Sequence, residues 1–333
     1  VLLSTSCQIF ASANCGYTFK LVSRKRPTCY GLLVELLRLA MPSAKWYSCL
    51  RHIHFIKPQQ EPYSRTHITE SKEPAMIGGK FVIDAHCHLG KSLLSGVEIT
   101  EDGLLATMHA NGIDMALVMP QPFQGLEVVA IHDRIARLAE AQPGVIYGMA
   151  NVSCRLPEAD YRREVTRCIR ELGFKAIKID PSVHAVAPNH PIAEIVFATA
   201  QELGVPVIIH TGLGAPFALP ALAIPPALKY PDLPIVLAHA GFGVYYPEAL
   251  VAAQLCPNII LEHSWSPSFQ VEAMTKSIGA DRVLFGSDHL TNVAPELAKL
   301  HAINLDEAEL TAILGGTAQR VFQLPVPQPT THS

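Results

Sequence analysis

His86 and His88 stand one residue apart at the end of the apolar run Phe81-Val82-Ile83-Asp84-Ala85-His86-Cys87-His88-Leu89. On an extended strand, side chains at i and i+2 share a face, so this spacing brings two imidazoles to one cation if the strand end opens into a cavity. Taken alone, the pair also reads as two satisfied histidines at a strand end. The rest of the chain favours a metal. Later strand-like runs end in residues of the same kind: Val207-Ile208-Ile209-His210, Val236-Leu237-Ala238-His239 and Leu284-Phe285-Gly286-Ser287-Asp288. Packing alone gives no reason for five metal-type residues to fall at equivalent points of four strands.

The elements that must position them recur regularly. Short β-branched and apolar runs predict strands over 81–89, 112–120, 145–153, 174–180, 205–212, 234–241, 258–265 and 283–290, starting 24 to 33 residues apart. That interval holds one strand, one helix and two loops. Helical patterns lie between them at 126–141, 158–172, 192–203 and 247–255, and Gly173 and Gly204 read as helix stops before the next strand. Eight such units predict an α/β fold of the (β/α)8 TIM-barrel type, occupying 76–333, with the chemistry at the C-terminal ends of the strands. No glycine-rich phosphate loop follows any strand, which removes the usual support for a nucleotide-binding open sheet.

The chain resembles the amidohydrolase superfamily, and more closely its branch containing aminocarboxymuconate-semialdehyde decarboxylase and resorcylate decarboxylase. The resemblance spans 81–324 and is carried by Asp84-Ala85-His86-Cys87-His88, Gly173-Phe174-Lys175-Ala176-Ile177-Lys178, Ile209-His210-Thr211-Gly212, Pro231-Asp232-Leu233-Pro234 leading to Ala238-His239-Ala240-Gly241, and Phe285-Gly286-Ser287-Asp288. The closing segment 313–322 is similar to the family's last helix. Where the branch has an aromatic residue and proline after the last aspartate, this chain has His289 and Leu290. His289 therefore reads as structural.

The resemblance implies a divalent metal, zinc first, held by His86, His88, His210 and Asp288. It implies catalytic roles for Asp288, which can take a proton from metal-bound water, and for His239, which can polarise a carbonyl or protonate a leaving group. Lys178 is open between two roles. In binuclear relatives a fourth-strand lysine bridges two metals; with one metal, which the close branch favours, Lys178 pairs with a buried or substrate carboxylate. Glu262, His263 and Trp265 stand near the same rim with their faces undecided. The expected activity is a metal-dependent hydrolase using activated water on a small amide, ester or lactone-like carbonyl. Its alternative is non-oxidative decarboxylation of an unsaturated or aromatic acid. A third class, a non-catalytic metal-binding barrel, leaves the intact residue set without a purpose.

Residues 1–75 differ in character. They hold 10 Lys and Arg against 4 Asp and Glu, a balance of +6, whereas 76–333 hold 16 against 25, a balance of −9. The apolar stretch 31–41 is too short and too charged to span a bilayer. The basic, serine-containing segment is compatible with a transit peptide, but Met76 lies five residues before the first strand. The expectation is a disordered or non-native extension over 1–75. A net charge of −3 favours neither nucleic acid nor an anionic membrane as partner; the small-molecule substrate is what the expected hydrolase activity implies. Cys87, Cys154, Cys168 and Cys256 form no CxxC pattern and predict free thiols in a reducing, cytoplasmic setting. Relatives often form dimers, so a homodimer is compatible with the resemblance, although nothing in this sequence marks an interface.

Overall fold

Valine and isoleucine recur wherever both faces of a strand are covered, and eight such segments make the barrel wall. They are β1 (Ile83–Lys91), β2 (Met115–Pro120), β3 (Ile146–Gly148, continued by Ala150–Asn151), β4 (Ile177–Ile179), β5 (Val207–His210), β6 (Ile235–Ala238), β7 (Ile259–Glu262) and β8 (Val283–Leu284). Each pairs in parallel with its successor. The ring closes where Ala85 N donates to Phe285 O at 3.1 Å and Asp288 N donates to His86 O at 2.7 Å. The computed structural model describes residues 8–11, 19–22, 54–55, 79–92, 96–121 and 128–325. The strands are shorter than their apolar runs because the chain leaves extended geometry at the rim: His239, Ala240, Trp265 and Asp288 all have positive φ.

The main helices are α1 (Glu101–Asn111), α2 (Val128–Ala141), α3 (Glu158–Arg170), α4 (Glu194–Leu203), α5 (Ile224–Lys229), α6 (Tyr246–Leu255), α7 (Ser268–Ile278) and α8 (Val293–His301). Local signals set their ends. Thr100 caps α1 by accepting from Gly103 N, and Gly204, at φ 70°, closes α4 with its N–H on the carbonyls of Ala200 and Gln201.

Two apolar layers follow from strand alternation. Ala116, Val118, Ile177, Ile179, Val207, Ile209, Ile235, Leu237, Ile259 and Leu261 pack outward in the layer containing the helices. Their alternates, including Met115, Leu117, Ile208, Val236, Ile260 and Leu284, fill the barrel, together with Val321 and Phe322 from the closing segment. The TIM-barrel expectation therefore holds, and Cys87, Cys154, Cys168 and Cys256 are free and buried.

Val1–Glu70 is a compact unit separate from Ser71–Ser333. Its described residues form a three-stranded sheet in which Phe19–Val22 pairs antiparallel with Gln8–Ala11 and parallel with His54–Phe55. The expected absence of regular structure elsewhere in 1–75 falls outside the described residues. Among the described residues no helix is long and apolar enough to cross a membrane.

Candidate metal centre

In β1, Ile83 and Ala85 belong to the barrel interior and Cys87 and Leu89 to the outer layer. Unbroken alternation from Ala85 would carry Cys87 inward and the histidines outward. The register with β2 shifts between Asp84 and Cys87, and this bulge turns His86 and His88 into the barrel. Asp84 fixes the bulge: its Oδ1 accepts His86 N at 3.1 Å and Ser287 N at 2.9 Å, joining β1 to the end of β8. Burial raises the Asp84 carboxyl to about 6.

Three atoms of types that can bind a cation converge beyond the bulge. His86 Nε2 and His88 Nε2 lie 3.2 Å apart, and Asp288 Oδ1 is 3.3 Å from the first and 3.1 Å from the second. Both imidazoles are fixed from behind. His86 Nδ1 donates to Glu262 Oε2 at 2.9 Å and His88 Nδ1 to Pro120 O at 3.0 Å. These partners are acceptors, so each neutral ring directs its Nε2 lone pair inward. Donors on a cation with bonds of about 2.0 to 2.2 Å stand about 3 to 3.4 Å apart, which these three separations match. Burial, followed by the Lys178 charge, holds His86 well below the usual imidazole range. For Asp288, burial acts upward but is outweighed by the electrostatic pull of the imidazoles around it, His239 first, so its carboxyl lies well below the usual range. Neutral imidazoles and an ionised carboxylate are the forms that bind metal.

His239 occupies the next position. Alternation in β6 puts Val236 and Ala238 inward and would send His239 out, but its φ of 66° and that of 42° at Ala240 turn the ring over the site. Such backbone costs about 1 kcal/mol or more per residue and persists where its surroundings over-determine it. Here His239 N donates to Glu262 Oε2 at 3.1 Å, and His239 Nδ1 meets Ser264 Oγ at 2.7 Å, while that hydroxyl donates to Glu262 Oε2 at 2.9 Å. His239 stacks on His86 with ring centroids 4.9 Å apart. Burial holds its imidazole well below the usual range.

His210 faces the same cavity but stands off the trio. Its Nδ1 is 3.2 Å from His239 Nε2 and its Nε2 is 2.8 Å from the Leu213 carbonyl. Lys178 is buried and inward, with Nζ 3.2 Å from His86 Nε2. Asp180 lines the cavity while its Oδ1 caps the turn Pro181–His184 by accepting from Ser182 N and Val183 N. Phe242 and Trp265 stack 5.7 Å apart at 19°, and Trp265 Nε1 donates to Asp288 Oδ2 at 2.7 Å. The resulting cavity of about 380 Å³ is lined by all of these residues together with Ser182, Leu213 and Gly214.

Three undecided or unassigned residues now have places. Glu262 lies beneath the site, in the inward series that starts at Ile260; its pattern was readable once the face of β7 was known. His263 points the other way, with Nδ1 on Glu296 Oε2 at 3.1 Å. His132, which the sequence pattern does not single out, is fully buried on α2 facing α3, with Nδ1 on Glu164 at 2.8 Å and Nε2 accepting Asn151 N at 3.1 Å. His289 caps the following turn by accepting from Thr291 N, the structural role expected of it.

Solved structures with the same fold include 5-carboxyvanillate decarboxylase LigW from Sphingomonas paucimobilis, 16% identical over 74% of this chain and 100% of that one, TM-score 0.60. A dihydroxybenzoic acid decarboxylase from Polaromonas sp. JS666, with bound manganese and the inhibitor 2-nitroresorcinol, is 20% identical over 74% and 98%, TM-score 0.61. A putative amidohydrolase from Staphylococcus aureus is 18% identical over 73% and 99%, TM-score 0.55. No curated protein sequence matches the chain. The profile of the amidohydrolase family matches residues 83–324, from β1 to the end of the closing segment. The chain belongs to the amidohydrolase family of enzymes.

Proposed function

We propose that His86, His88 and Asp288 hold one divalent cation, with His210 joining them in exchange for its contact with the Leu213 carbonyl. Imidazole and carboxylate donors suit zinc or manganese. Lys178 then stays a free ammonium facing the cavity. The proposed reaction is non-oxidative decarboxylation of a planar aromatic or unsaturated carboxylic acid. The observation that carries it is the Trp265–Phe242 stack, 5.7 Å between centroids, joined to Asp288 through the indole N–H. It provides a flat aromatic wall directly beside the metal ligands. Decarboxylases of carboxyvanillate and dihydroxybenzoate share the fold and support the same reading.

A cation at the trio supplies Lewis-acid attraction for the substrate's oxygen atoms. The protein's own groups do the rest. Trp265 and Phe242 orient the planar substrate, and the Lys178 ammonium pairs with its carboxylate. Breaking the bond to the carboxyl carbon releases carbon dioxide and leaves the electron pair on the substrate carbon. His239 Nε2, with the far nitrogen donating to Ser264 and backed by Glu262, takes up a proton from solvent or from a substrate hydroxyl and passes it to that carbon, ending neutral as it began.

Hydrolysis is the second reading, favoured by the Asp288 carboxylate, which stands beside His86 and His88 where it can accept a proton from water. A panel of hydroxylated benzoates, lactones and amides, assayed in parallel for carbon dioxide and for hydrolysis products, separates the two. Carbon dioxide release lost in His239→Ala supports decarboxylation. Turnover of lactones or amides without carbon dioxide overturns it in favour of hydrolysis.

A further inference from the structure

We infer that Glu296, outside the cavity, is a positioning residue that sets Trp265 and, through its indole, Asp288. Glu296 is 1% exposed on α8, and both oxygens are engaged. Oε1 accepts Trp265 N at 2.8 Å and Asn292 Nδ2 at 2.9 Å. Oε2 accepts from His263 Nδ1 at 3.1 Å and from the Lys299 ammonium. The partners extend to the flanking peptides: Asn292 Nδ2 also donates to Ser287 O at 3.0 Å, and Lys299 Nζ donates to Ser266 O at 2.7 Å. One buried carboxylate thus anchors the backbone beside both Trp265 and Asp288.

Those two residues need anchoring. Trp265 has φ 62° and Asp288 φ 64°, left-handed conformations in residues without glycine's freedom. Trp265 is 39% exposed, so little packing fixes its ring apart from Phe242. Its backbone N–H on Glu296 determines where the indole N–H arrives, and that donor holds Asp288 Oδ2 while Oδ1 faces His86 and His88. The chain of contacts runs from α8 to the loop after β7 and back to the end of β8. It makes the aromatic wall and the carboxylate ligand move as one unit.

The inference rests on the reading of the site as a metal centre, and its test separates the two. Metal-stripped full-length protein is titrated with Mn²⁺ as wild type, Glu296→Ala, Trp265→Phe and the double variant. Each single change is expected to weaken binding about tenfold, as for other groups that orient metal ligands. The double variant is expected to lose no more than about tenfold, since both changes remove the same indole constraint. A loss of about a hundredfold in the double variant, or wild-type affinity in Glu296→Ala, overturns the inference.

Emission of Trp265, read in Trp46→Phe protein where it is the sole tryptophan, is a second readout independent of metal. Glu296→Ala is expected to shift it to the red and to raise acrylamide quenching, and an unchanged spectrum overturns the positioning role. If wild type takes up no Mn²⁺, the metal reading fails and this emission alone decides. Should Glu296→Ala not fold, Asn292→Ala is expected to give the red shift and Glu296→Gln, which keeps an acceptor oxygen for Trp265 N–H, a near-native spectrum; the reverse pattern overturns the inference.

Discussion

His86 Nε2 and His88 Nε2 face each other across 3.2 Å with no proton between them, because each ring spends its N–H on an acceptor behind it. Two lone pairs and the Asp288 carboxylate in mutual contact repel one another unless a cation joins all three, and the Lys178 ammonium, 3.2 Å from His86 Nε2, meets only the first. Chelation should therefore lower the thermal midpoint by several degrees, and Mn²⁺ or Zn²⁺ should restore it. His88→Ala should abolish that response together with activity, whereas His239→Ala should keep it. An unaltered metal response in His88→Ala would falsify the ligand assignment.

Glu262 holds His86 from behind and supports His239 through its backbone N–H and through Ser264. Glu262→Gln replaces an acceptor with a donor on at least one side. We expect metal affinity to fall by about 10 to 100-fold and stability by about 1 to 3 kcal/mol. Calorimetric titration and urea unfolding measure the two; wild-type affinity would remove Glu262 from the supporting role.

Gly286 lies just past the end of β8, against Glu262 and His86. A Cβ there would stand 2.8 Å from both Glu262 Oε1 and His86 Cβ, contacts too close for either neighbour to keep its place. Gly286→Ala is expected to cost about 1 to 3 kcal/mol and to release bound metal. Elemental analysis after gel filtration checks it, with full occupancy as the contrary result.

Away from the site, burial acts to raise the Glu164 carboxyl, but hydrogen bonds from His132 and Arg167 outweigh it and bring the group down to about 2. A depressed folded value stabilises the protein above the unfolded value near 4.5 and loses that contribution as pH falls towards 2. Glu164→Gln should cost about 1 to 2 kcal/mol at pH 7, allowing for solvent screening, with the deficit shrinking below about pH 4. Urea unfolding midpoints at neutral and acid pH test this; an equal deficit at both contradicts it.

We propose 76–333 as the working domain. Protein expressed from Met76 should be soluble and bind metal like the full chain. Insoluble or metal-free product would assign part of the enzyme to the preceding residues.

Much of this was present in the sequence because a parallel barrel repeats its unit. The Val and Ile runs and the spacing of their starts determine eight strands, and a polar residue after each apolar run marks the rim. His86, His88, His210, His239, Asp288 and Lys178 could all be named on that logic, and all six line one cavity. Which way each points was a tertiary decision. The bulge between Asp84 and Cys87 exists through pairing with β2 and through Asp84 bonding to Ser287, a residue 203 positions away. His239 faces inward through a left-handed turn held by Glu262, against the alternation of its own strand. The sequence places Glu262 near the rim without a role and does not single out Glu296, since a carboxylate's role depends on which donors the folded chain brings to it. Local pattern sets the elements and their order; the direction of a side chain at a strand end depends on backbone breaks that distant contacts stabilise.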